Sequence, residues 1–522
     1  MKKPIPSLAI AATMLISPIA SAQVSFGGSP VGLSEYKSTL PAAPVHVMPA
    51  VDALTLMVED AERLAAGSKR QRFGINHATD FTLDNSGVWS TLANGDRVWR
   101  LGIECPGAFS VNFEFNTYVV PEGGQIFVYN PLGHTMGAFT AASHPGHNVL
   151  GVGLMQGDRI TIEYLEPASR SGQGQLRIGQ VTHGYRDSFD MAKGFGASGS
   201  CNNNVICPIS VGYEDQIRSV ARIVVGGGDH CTGSLLDNCA HDEVPYFMTA
   251  NHCMISNPAT WVFAFNWNSP ACTPTTNPGM NQTVSGATEL ASGAGSDFAL
   301  LLLDDNLPDA YNVFFSGWDK SGTAATEVRA IHHPSGDIKK FSIEEEPVIT
   351  GTMSGAQCWH VQGWDDGTTE PGSSGSGLWD QNGRFVGQLF GGQASCSFNF
   401  NDFYGKFSVT FPNVSQWLGN NCGNTVDGIN DIVGIEEFGV LAGVSVYPNP
   451  NVGIFTVELP SSLTGTIQLR VTDAMGRVVL DQRSSAATQH VALDLGAAAE
   501  GIYNLEVISG GARSVQRIVV QR

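Results

Sequence analysis

The chain has 522 residues, 42% hydrophobic, 15% charged and rich in glycine, and its formal net charge is −20. The length corresponds to about three or four folded domains, and the glycine content favours a turn-rich β protein. The acidic balance argues against nucleic acid as a partner, because phosphate backbones are bound by clustered Lys and Arg side chains.

Residues 1–22 have the pattern of a secretory signal peptide. Lys2 and Lys3 form a basic start, an apolar run follows, and the small residues 20–22 fit a cleavage site. No segment reaches the ~18 uninterrupted apolar residues of a membrane helix. We therefore predict a secreted protein without a membrane span. Its ten cysteines are expected to form disulfides, and the lack of a C-x-x-C pair argues against zinc.

Residues 23–195 are predicted to form a β-sandwich. The acidic stretch LTLMVEDAERL favours one short helix, and alternating apolar and polar residues then predict strands. These strands are VWRLGIE, FSVNFEF, QIFVYN, RITIEYL and QLRIGQV.

Residues 196–422 contain most of the cysteines and most of the candidate chemistry. The next segment, 423–439, has no clear period and is predicted to be a linker. Residues 440–522 alternate again, in about seven short strands separated by Gly, Ser and Asn turns, which predicts a small Ig-like β-sandwich. Its strands include GIFTVEL, TIQLRVTD, GRVVLDQ, GIYNLEV and QRIVVQ.

The stretch TTEPGSSGSGLWD, residues 368–380, raises the question of whether Ser374 is a nucleophile or part of a flexible loop. A serine hydroxyl becomes nucleophilic beside a base that a buried acid orients. His252 follows the apolar segment YFMTAN, and Asp297 precedes an apolar run, so both partners are available. Each residue alone has a structural interpretation, as do Ser373 and Ser376, but the order His, Asp, Ser is a known triad order.

The motifs CTGSLL, YFMTANHC, SDFALL and EPGSSGSG resemble the chymotrypsin-like serine proteases, specifically the bacterial lysyl endopeptidase branch. The resemblance runs from Gly196 to about Trp417, with FSGWDKSG, IHHPSGD, GQLFGG and DFYGKF in the same order. It implies an all-β fold in which a chymotrypsin-like double β-barrel holds the active site at the barrel junction.

The same resemblance implies a role for each residue of the site. His252 is the general base, Asp297 orients it, and Ser374 is the nucleophile. The backbone N–H groups of Gly372 and Ser374 form the oxyanion hole, which explains the small residues in this turn. No metal or organic cofactor takes part in this chemistry.

Specificity is predicted from Asp402, which stands where lysyl endopeptidases carry the acid of their pocket, with Gly391 and Gly392 as the pocket walls. A buried ammonium group requires such a carboxylate. Phe390 departs from the family, which has His there, so Arg is an alternative to Lys at the cleavage site. The competing interpretation makes Asp402 a turn residue.

Disulfides are also implied by the resemblance, as Cys201–Cys396, Cys207–Cys272 and Cys231–Cys253. Cys105, Cys239, Cys358 and Cys422 have no implied partner.

Adjacent His332 and His333 on a strand point to opposite faces and chelate poorly, so no metal site is expected.

Because the resemblance begins at Gly196, residues 23–195 are expected to be a pro-region that blocks the cleft of a zymogen. Lys193 offers a self-cleavage point. The alternative to a pro-region is a binding module that the mature protein retains.

The C-terminal part resembles the sorting domain of the type IX secretion system, with a carbohydrate-binding sandwich as the alternative. The motif residues are Tyr447, Pro448, Asn449, Pro450, Gly453, Asp473, Gly476, Arg477, Gly501, Ile502 and Tyr503.

We therefore predict a secreted serine endopeptidase that cleaves proteins or peptides after Lys, with Arg as an alternative, and that contacts the secretion machinery through its C-terminal domain. Two other hypotheses stay open. One is a chymotrypsin-like protease of different specificity, and the other is an inactive surface adhesin built on a protease fold.

Overall fold

The computed structural model of the protein describes residues 23–34, 37–38, 40–68, 70–189, 197–273, 278–304, 307–430, 439–440, 444–460, 466–473, 478–485, 488–496, 498–509 and 512–521. The predicted signal peptide, Lys193, Gly196, Gly476 and Arg477 lie outside these residues. The chain divides into two compact units, residues 1–431 and 432–522. The division falls inside the predicted linker, and the predicted sandwich and protease domain share the first unit.

The N-terminal part is a sandwich of two sheets. One sheet has the order β1-β5-β10-β7-β8, with β4 added beside β5, and the other has the order β3-β11-β6-β9. Residues such as Trp99, Phe113 and Ile162 fill the core between them. The strands are β1 (Val45–Val47), β2 (Gln71–Arg72), β3 (Gly74–Thr82), β4 (Val88–Thr91), β5 (Arg97–Glu104), β6 (Ser110–Val119), β7 (Gln125–Tyr129), β8 (Thr135–Phe139), β9 (Leu150–Gln156), β10 (Arg159–Glu166) and β11 (Gln175–Gly184).

The predicted helix in this part is confirmed as α1 (Ala53–Ala65). It begins after Asp52, whose carboxylate accepts hydrogen bonds from the amides of Leu54 and Thr55. Such a cap satisfies amide groups that have no partner inside the helix. The five quoted strand segments coincide with β5, β6, β7, β10 and β11, so these strand predictions are confirmed as well.

The middle of the chain forms two large sheets, the first barrel sheet and the second barrel sheet. The first has the order β17-β16-β13-β14-β15-β19-β18, and β2 of the N-terminal part joins its strand β14. The second has the order β12-β23-β22-β26-β27-β28-β25-β24. Their strands are β12 (Asn203–Asn204), β13 (Val220–Val225), β14 (Asp229–Leu236), β15 (Tyr246–Ala250), β16 (Val262–Phe265), β17 (Thr283–Ser285), β18 (Ala287–Gly293), β19 (Phe298–Leu303), β20 (Phe314–Phe315), β21 (Trp318–Asp319), β22 (Val328–His332), β23 (Lys340–Glu344), β24 (Ile349–Met353), β25 (Ala356–Gly363), β26 (Gly377–Asp380), β27 (Phe385–Gly392), β28 (Phe400–Lys406), β29 (Thr425–Val426) and β30 (Ile429–Asn430).

A shared core joins the two barrel sheets. Leu236 and Met248 of the first sheet pack with Trp379 and Phe385 of the second, and Phe411 of a C-terminal helix completes the cluster. The helices of this part are α2 (Glu214–Ser219) and α3 (Phe407–Leu418). The prediction of an all-β fold is confirmed.

The beginning of the predicted linker is paired with the barrel. β29 pairs with β21 and β30 pairs with β20, and Val426 is buried. Each pairing spans two residues, too few to produce a visible alternation in the sequence. Residues 425–430 therefore belong to the first unit rather than to a free linker.

The second unit is a small sandwich, as predicted, of sheets β31-β38-β37-β34-β35 and β32-β33-β36. Phe455, Leu469 and Leu505 contribute to its core. None of the helices in the described ranges combines the length and apolar character needed to cross a bilayer. The strands are β31 (Gly439–Val440), β32 (Ser445–Tyr447), β33 (Ile454–Glu458), β34 (Thr466–Asp473), β35 (Val478–Ser485), β36 (His490–Asp494), β37 (Gly501–Ser509) and β38 (Ala512–Val520).

Candidate active site

The structure brings His252 and Asp297 together at adjacent strand ends of the first barrel sheet. His252 follows β15, and Asp297 directly precedes β19, which pairs with β15. The His252 ring Nδ1 lies 2.7 Å from Asp297 Oδ2, and the His252 backbone N–H donates to Oδ1 at 3.0 Å. Asp297 is only 3% exposed. A buried carboxylate that binds Nδ1–H leaves Nε2 as the basic nitrogen of the neutral ring.

Ser374 lies in the turn that leads into β26, and strand β14 of the other sheet supports this turn. The Thr232 backbone N–H donates to the Ser374 carbonyl at 2.8 Å, and the Thr232 hydroxyl donates to the Gly372 carbonyl at 2.9 Å. Gly375 has a positive φ of 81°, and a side chain there would collide with the Thr249 hydroxyl and with backbone atoms of β14 and β15. The turn therefore requires glycine to bring the serine against the first barrel sheet.

His252 Nε2 is buried, and among the described residues it has no hydrogen-bond partner. Its bond to the Ser374 hydroxyl is thus not formed in this conformation. Catalytic hydrogen bonds are often long or poorly aligned before substrate binds. Ser374 is 2% exposed, and its carbonyl lies 4.0 Å from the sulfur of Cys253, the residue after His252.

Asp402 lies in one cavity with Ser374. The cavity measures about 140 Å³, and Gly391 and Gly392 also line it. The Asp402 carboxylate is 1% exposed, and it accepts hydrogen bonds from Trp364 Nε1 at 2.9 Å and from the Thr369 hydroxyl at 2.7 Å.

Gly392 pairs directly with Asp402 across strands β27 and β28. A side chain at position 392 would collide with the Asp402 carboxylate. Glycine at this position therefore leaves space beside the acid. Together the residues of the cavity form a small site with a carboxylate at one side and the candidate nucleophile in its lining.

Phe390 lies beside the candidate general base. Its ring stacks on the His252 imidazole, with 5.8 Å between ring centroids and an interplanar angle of 28°. The aromatic position next to the histidine is therefore occupied by a ring without polar atoms. This is the position at which the sequence departs from the lysyl endopeptidase pattern.

The sequence did not predict which buried residues support the turn that carries Ser374. The sequence predicts only the lack of a metal site at His332, whereas in the structure its Nδ1 lies 2.8 Å from the hydroxyl of Ser373, the neighbour of Ser374. Its Nε2 contacts the Ser342 hydroxyl at 3.1 Å. Complete burial lowers the pKa of His332 to about 3, with a further effect of the Lys340 charge, so the ring stays neutral. The IHHPSGD motif contained this signal, but the contact is visible only in three dimensions.

The disulfides of the structure include the three implied pairs Cys201–Cys396, Cys207–Cys272 and Cys231–Cys253. The pair Cys231–Cys253 joins β14 to the residue after His252. It therefore holds the loop that carries His252 on the same strand that supports the turn of Ser374. The structure also pairs Cys239 with Cys422, and it leaves Cys105 and Cys358 as buried thiols.

Comparison with known proteins identifies two segments of the chain. Residues 195–405 match the family described as lysyl endopeptidase, C-terminal domain. Residues 195–405 are therefore similar to the lysyl endopeptidase family. This segment, the lysyl endopeptidase domain of the match, contains every candidate site residue named above. Residues 445–521 match the secretion system C-terminal sorting domain, which indicates export to the extracellular space or the cell surface.

One curated relative is the lysyl endopeptidase of Pseudomonas aeruginosa, 31% identical over an alignment of 295 residues that covers 51% of this chain. The chain spans 62% of the length of that relative. Among solved structures, a Glu endopeptidase is 20% identical, with 42% of this chain and 98% of that chain covered and a TM-score of 0.28. The Rv3671c protease of M. tuberculosis, in its inactive form, is 17% identical, with 41% and 97% covered and a TM-score of 0.28. The description of the fold rests on the sheets of this protein and makes no use of these two alignments.

Proposed function

We propose that the protein is a secreted serine endopeptidase that hydrolyses peptide bonds on the carboxyl side of lysine. The observation that carries this proposal is a cavity lined by both Ser374 and the buried carboxylate of Asp402. The two hydrogen bonds between His252 and Asp297 also support this proposal, because they supply an oriented base.

In the proposed reaction, the Ser374 hydroxyl attacks the scissile carbonyl while His252 Nε2 takes its proton. Asp297 holds the ring in the tautomer with hydrogen on Nδ1 and stabilises the imidazolium that forms. The N–H groups of Gly372 and Ser374 bind the oxyanion. His252 then gives the proton to the leaving amine, and water hydrolyses the acyl-enzyme by the same steps in reverse order.

Lysine preference follows from the charge of the cavity. An ammonium group leaving water requires a compensating charge and hydrogen bonds. Asp402 offers both, because Trp364 and Thr369 fix its carboxylate from one side while the cavity lies beside it. The small volume of the cavity, which Glu370 lines as well, favours the compact ammonium of lysine, and Phe390 is the position that makes arginine the alternative substrate.

We further propose that residues 23–195 form the pro-region of a zymogen. Leu64, in the last turn of α1, and Ser68 beyond it line the cavity together with Ser374. Gln71 lies against Gly372. Strand β2 adds to β14, and the next residue, Phe73, stacks on the buried ring of His230 with 4.1 Å between centroids. The N-terminal segment thus covers the position that a substrate side chain needs.

A salt-bridge cluster holds this covering segment in place. Asp60 of α1 accepts hydrogen bonds from Arg72 at 2.7 Å, from Arg186 at 2.6 Å and from the Tyr185 hydroxyl at 2.6 Å. Burial raises the pKa of Asp60, but these hydrogen bonds outweigh it, and the net pKa lies below the ordinary value. The negative charge therefore holds the helix against β2 and against the two residues that follow β11.

The secretion machinery is the proposed partner of the C-terminal sandwich, since residues 445–521 match a secretion sorting domain.

A serine-directed fluorophosphonate tests the proposed enzyme class. We expect the probe to label the processed protein and the Ser376→Ala variant, in which a buried serine of the same turn is replaced. Ser374→Ala should take up no label. No labelling of the processed parent would favour the inactive adhesin, and equal labelling of Ser374→Ala would mean that Ser374 is not the reactive serine.

A further inference from the structure

Three side chains outside the candidate active site meet where the N-terminal sandwich contacts the first barrel sheet. His144 Nε2 lies 3.0 Å from Asp304 Oδ2, and His147 Nε2 lies 3.4 Å from the same oxygen. Both rings therefore direct the same kind of nitrogen at one carboxylate. The three ligand atoms lie within 4.8 Å of one another, and the two rings stack with 4.7 Å between centroids.

The hydrogen bonds of His144 determine which of its nitrogens carries the proton. Its Nδ1 contacts the carbonyl oxygen of Val149. A carbonyl can only accept, so Nδ1 must be the N–H donor. In the neutral ring, Nε2 then presents a lone pair to an oxygen of Asp304, and two acceptors face each other. Either a proton or a metal ion between them removes this conflict, and a backbone carbonyl on the second ring nitrogen is the usual support of a metal-bound histidine.

Burial makes this arrangement costly without a counter-ion. The side chain of His144 is 0% exposed and that of Asp304 is 6% exposed, while His147 is 31% exposed. The second oxygen of Asp304 accepts a hydrogen bond from the Thr288 hydroxyl at 3.1 Å, which fixes the carboxylate plane. His147 lines an open cleft with Gly146 and Asn148. The site thus has two buried ligands, one ligand near solvent, and a route for an ion and a water molecule.

We propose that His144, His147 and Asp304 bind one zinc ion, with water as the fourth ligand. Two imidazole nitrogens and one carboxylate oxygen form a ligand set that suits zinc, whereas magnesium and calcium prefer oxygen ligands throughout. With Nδ1 on the Val149 carbonyl, Nε2 is the His144 nitrogen that faces the proposed ion. This site is distinct from the catalytic chemistry, in which the ion takes no part.

The position of the site suggests its role. His144 and His147 lie upstream of the lysyl endopeptidase domain, and Asp304 lies within it. A bound ion would therefore link the N-terminal sandwich to the barrel and stabilise the form in which the cleft is covered. The sequence predicted no metal site, because the ligands are 160 residues apart and the only local signal is H-P-G-H.

Titration with zinc tests this proposal. The full chain carrying Ser374→Ala is prepared without an affinity tag, so that self-cleavage and added histidines do not interfere, and it is stripped with a chelator. Zinc chloride is then added while binding is followed by calorimetry. The variants are His147→Gln and Asp304→Asn, and the control is His134→Gln, an exposed histidine of the same sandwich.

We expect one zinc ion per chain and a rise in the thermal midpoint on zinc addition. The affinity should fall by more than about 10-fold in both ligand variants and stay unchanged in the control. The thermal midpoint of each variant is also measured without zinc. A midpoint close to that of the zinc-free parent would show that the variant folds. Absence of stoichiometric zinc binding, equal affinity in the ligand variants, or loss of binding only in His252→Ala would overturn the proposal. None of these outcomes depends on whether the protein is an active protease.

Discussion

Asp297 contacts His252 at two points, with Oδ1 3.0 Å from the backbone nitrogen and Oδ2 2.7 Å from ring Nδ1. The first contact fixes the loop that carries the histidine, and the second fixes the tautomer of its ring. The two oxygens of one buried carboxylate thus position the candidate base and define which of its nitrogens would accept a proton.

Asp297→Asn is expected to reduce kcat on a lysyl peptide by about 10⁴-fold with little change in KM. An amide at this position favours the wrong tautomer of His252 while it preserves the shape of the loop. The measurement is steady-state hydrolysis by the processed protein, with the exposed Asp309→Asn as the control. A loss of less than tenfold would mean that Asp297 does not orient the base.

Asp402→Asn is expected to reduce kcat/KM on lysyl substrates by about 10²–10³-fold. Loss of one partner of a buried charge pair costs about 3–5 kcal/mol, and each 1.4 kcal/mol corresponds to a factor of ten. Substrates with an uncharged residue before the scissile bond should lose little, which makes them the internal control. If both substrate classes decline equally, Asp402 supports the fold of the pocket and does not select lysine.

Asp60→Asn is expected to expose the active site of the precursor. The variant removes the charge that Arg72 and Arg186 share and so loosens α1 from the cavity. The readout is the rate of fluorophosphonate labelling of the full-length band, which should rise at least several-fold above the parent. Glu62→Gln, an exposed position on the same helix, should label at the parental rate. An unchanged rate in Asp60→Asn would contradict the proposed covering role of this segment.

His332 gives a pH-dependent prediction. Burial lowers its folded pKa to about 3, while the unfolded chain titrates near 6.5. Its stabilising contribution is therefore complete above pH 6.5 and declines as the pH falls towards 3. The difference in unfolding free energy between the parent and His332→Gln should shrink by about 1.4 kcal/mol per pH unit from pH 6 to pH 4.

Urea titrations of both His332 forms at each pH supply this difference, and contributions from all other groups cancel. The Ser374→Ala background prevents self-digestion during the titrations. A constant difference over this pH range would show that His332 is protonated in the folded protein.

Different parts of the structure were predictable to different degrees. Strands such as β5 and β34 followed from their alternating residues, and α1 followed from an acidic amphipathic stretch. The pairing of His252 with Asp297 was expected because a nucleophilic serine requires a base and a buried acid, and Asp297 precedes an apolar run, although the resemblance to a family supplied their roles. The implied cysteine pairs also came from that resemblance.

Long-range contacts were not predictable. Trp364 and Thr369 bind Asp402, and His332 contacts Ser373, because the second barrel sheet folds these segments together. Such partners have no fixed spacing in the sequence. The pairing of Cys239 with Cys422 and the short strands β29 and β30 belong to the same group, since each depends on a contact between distant segments and has no local pattern.

The most direct test of the central claim is the digestion of a denatured protein mixture by the processed protein and by its Ser374→Ala variant, with every cut site read by mass spectrometry. We predict cuts after lysine that slow by about 10⁴–10⁶-fold in the variant. Equal cutting in both samples, or none in either, would contradict the assignment of Ser374 as the nucleophile.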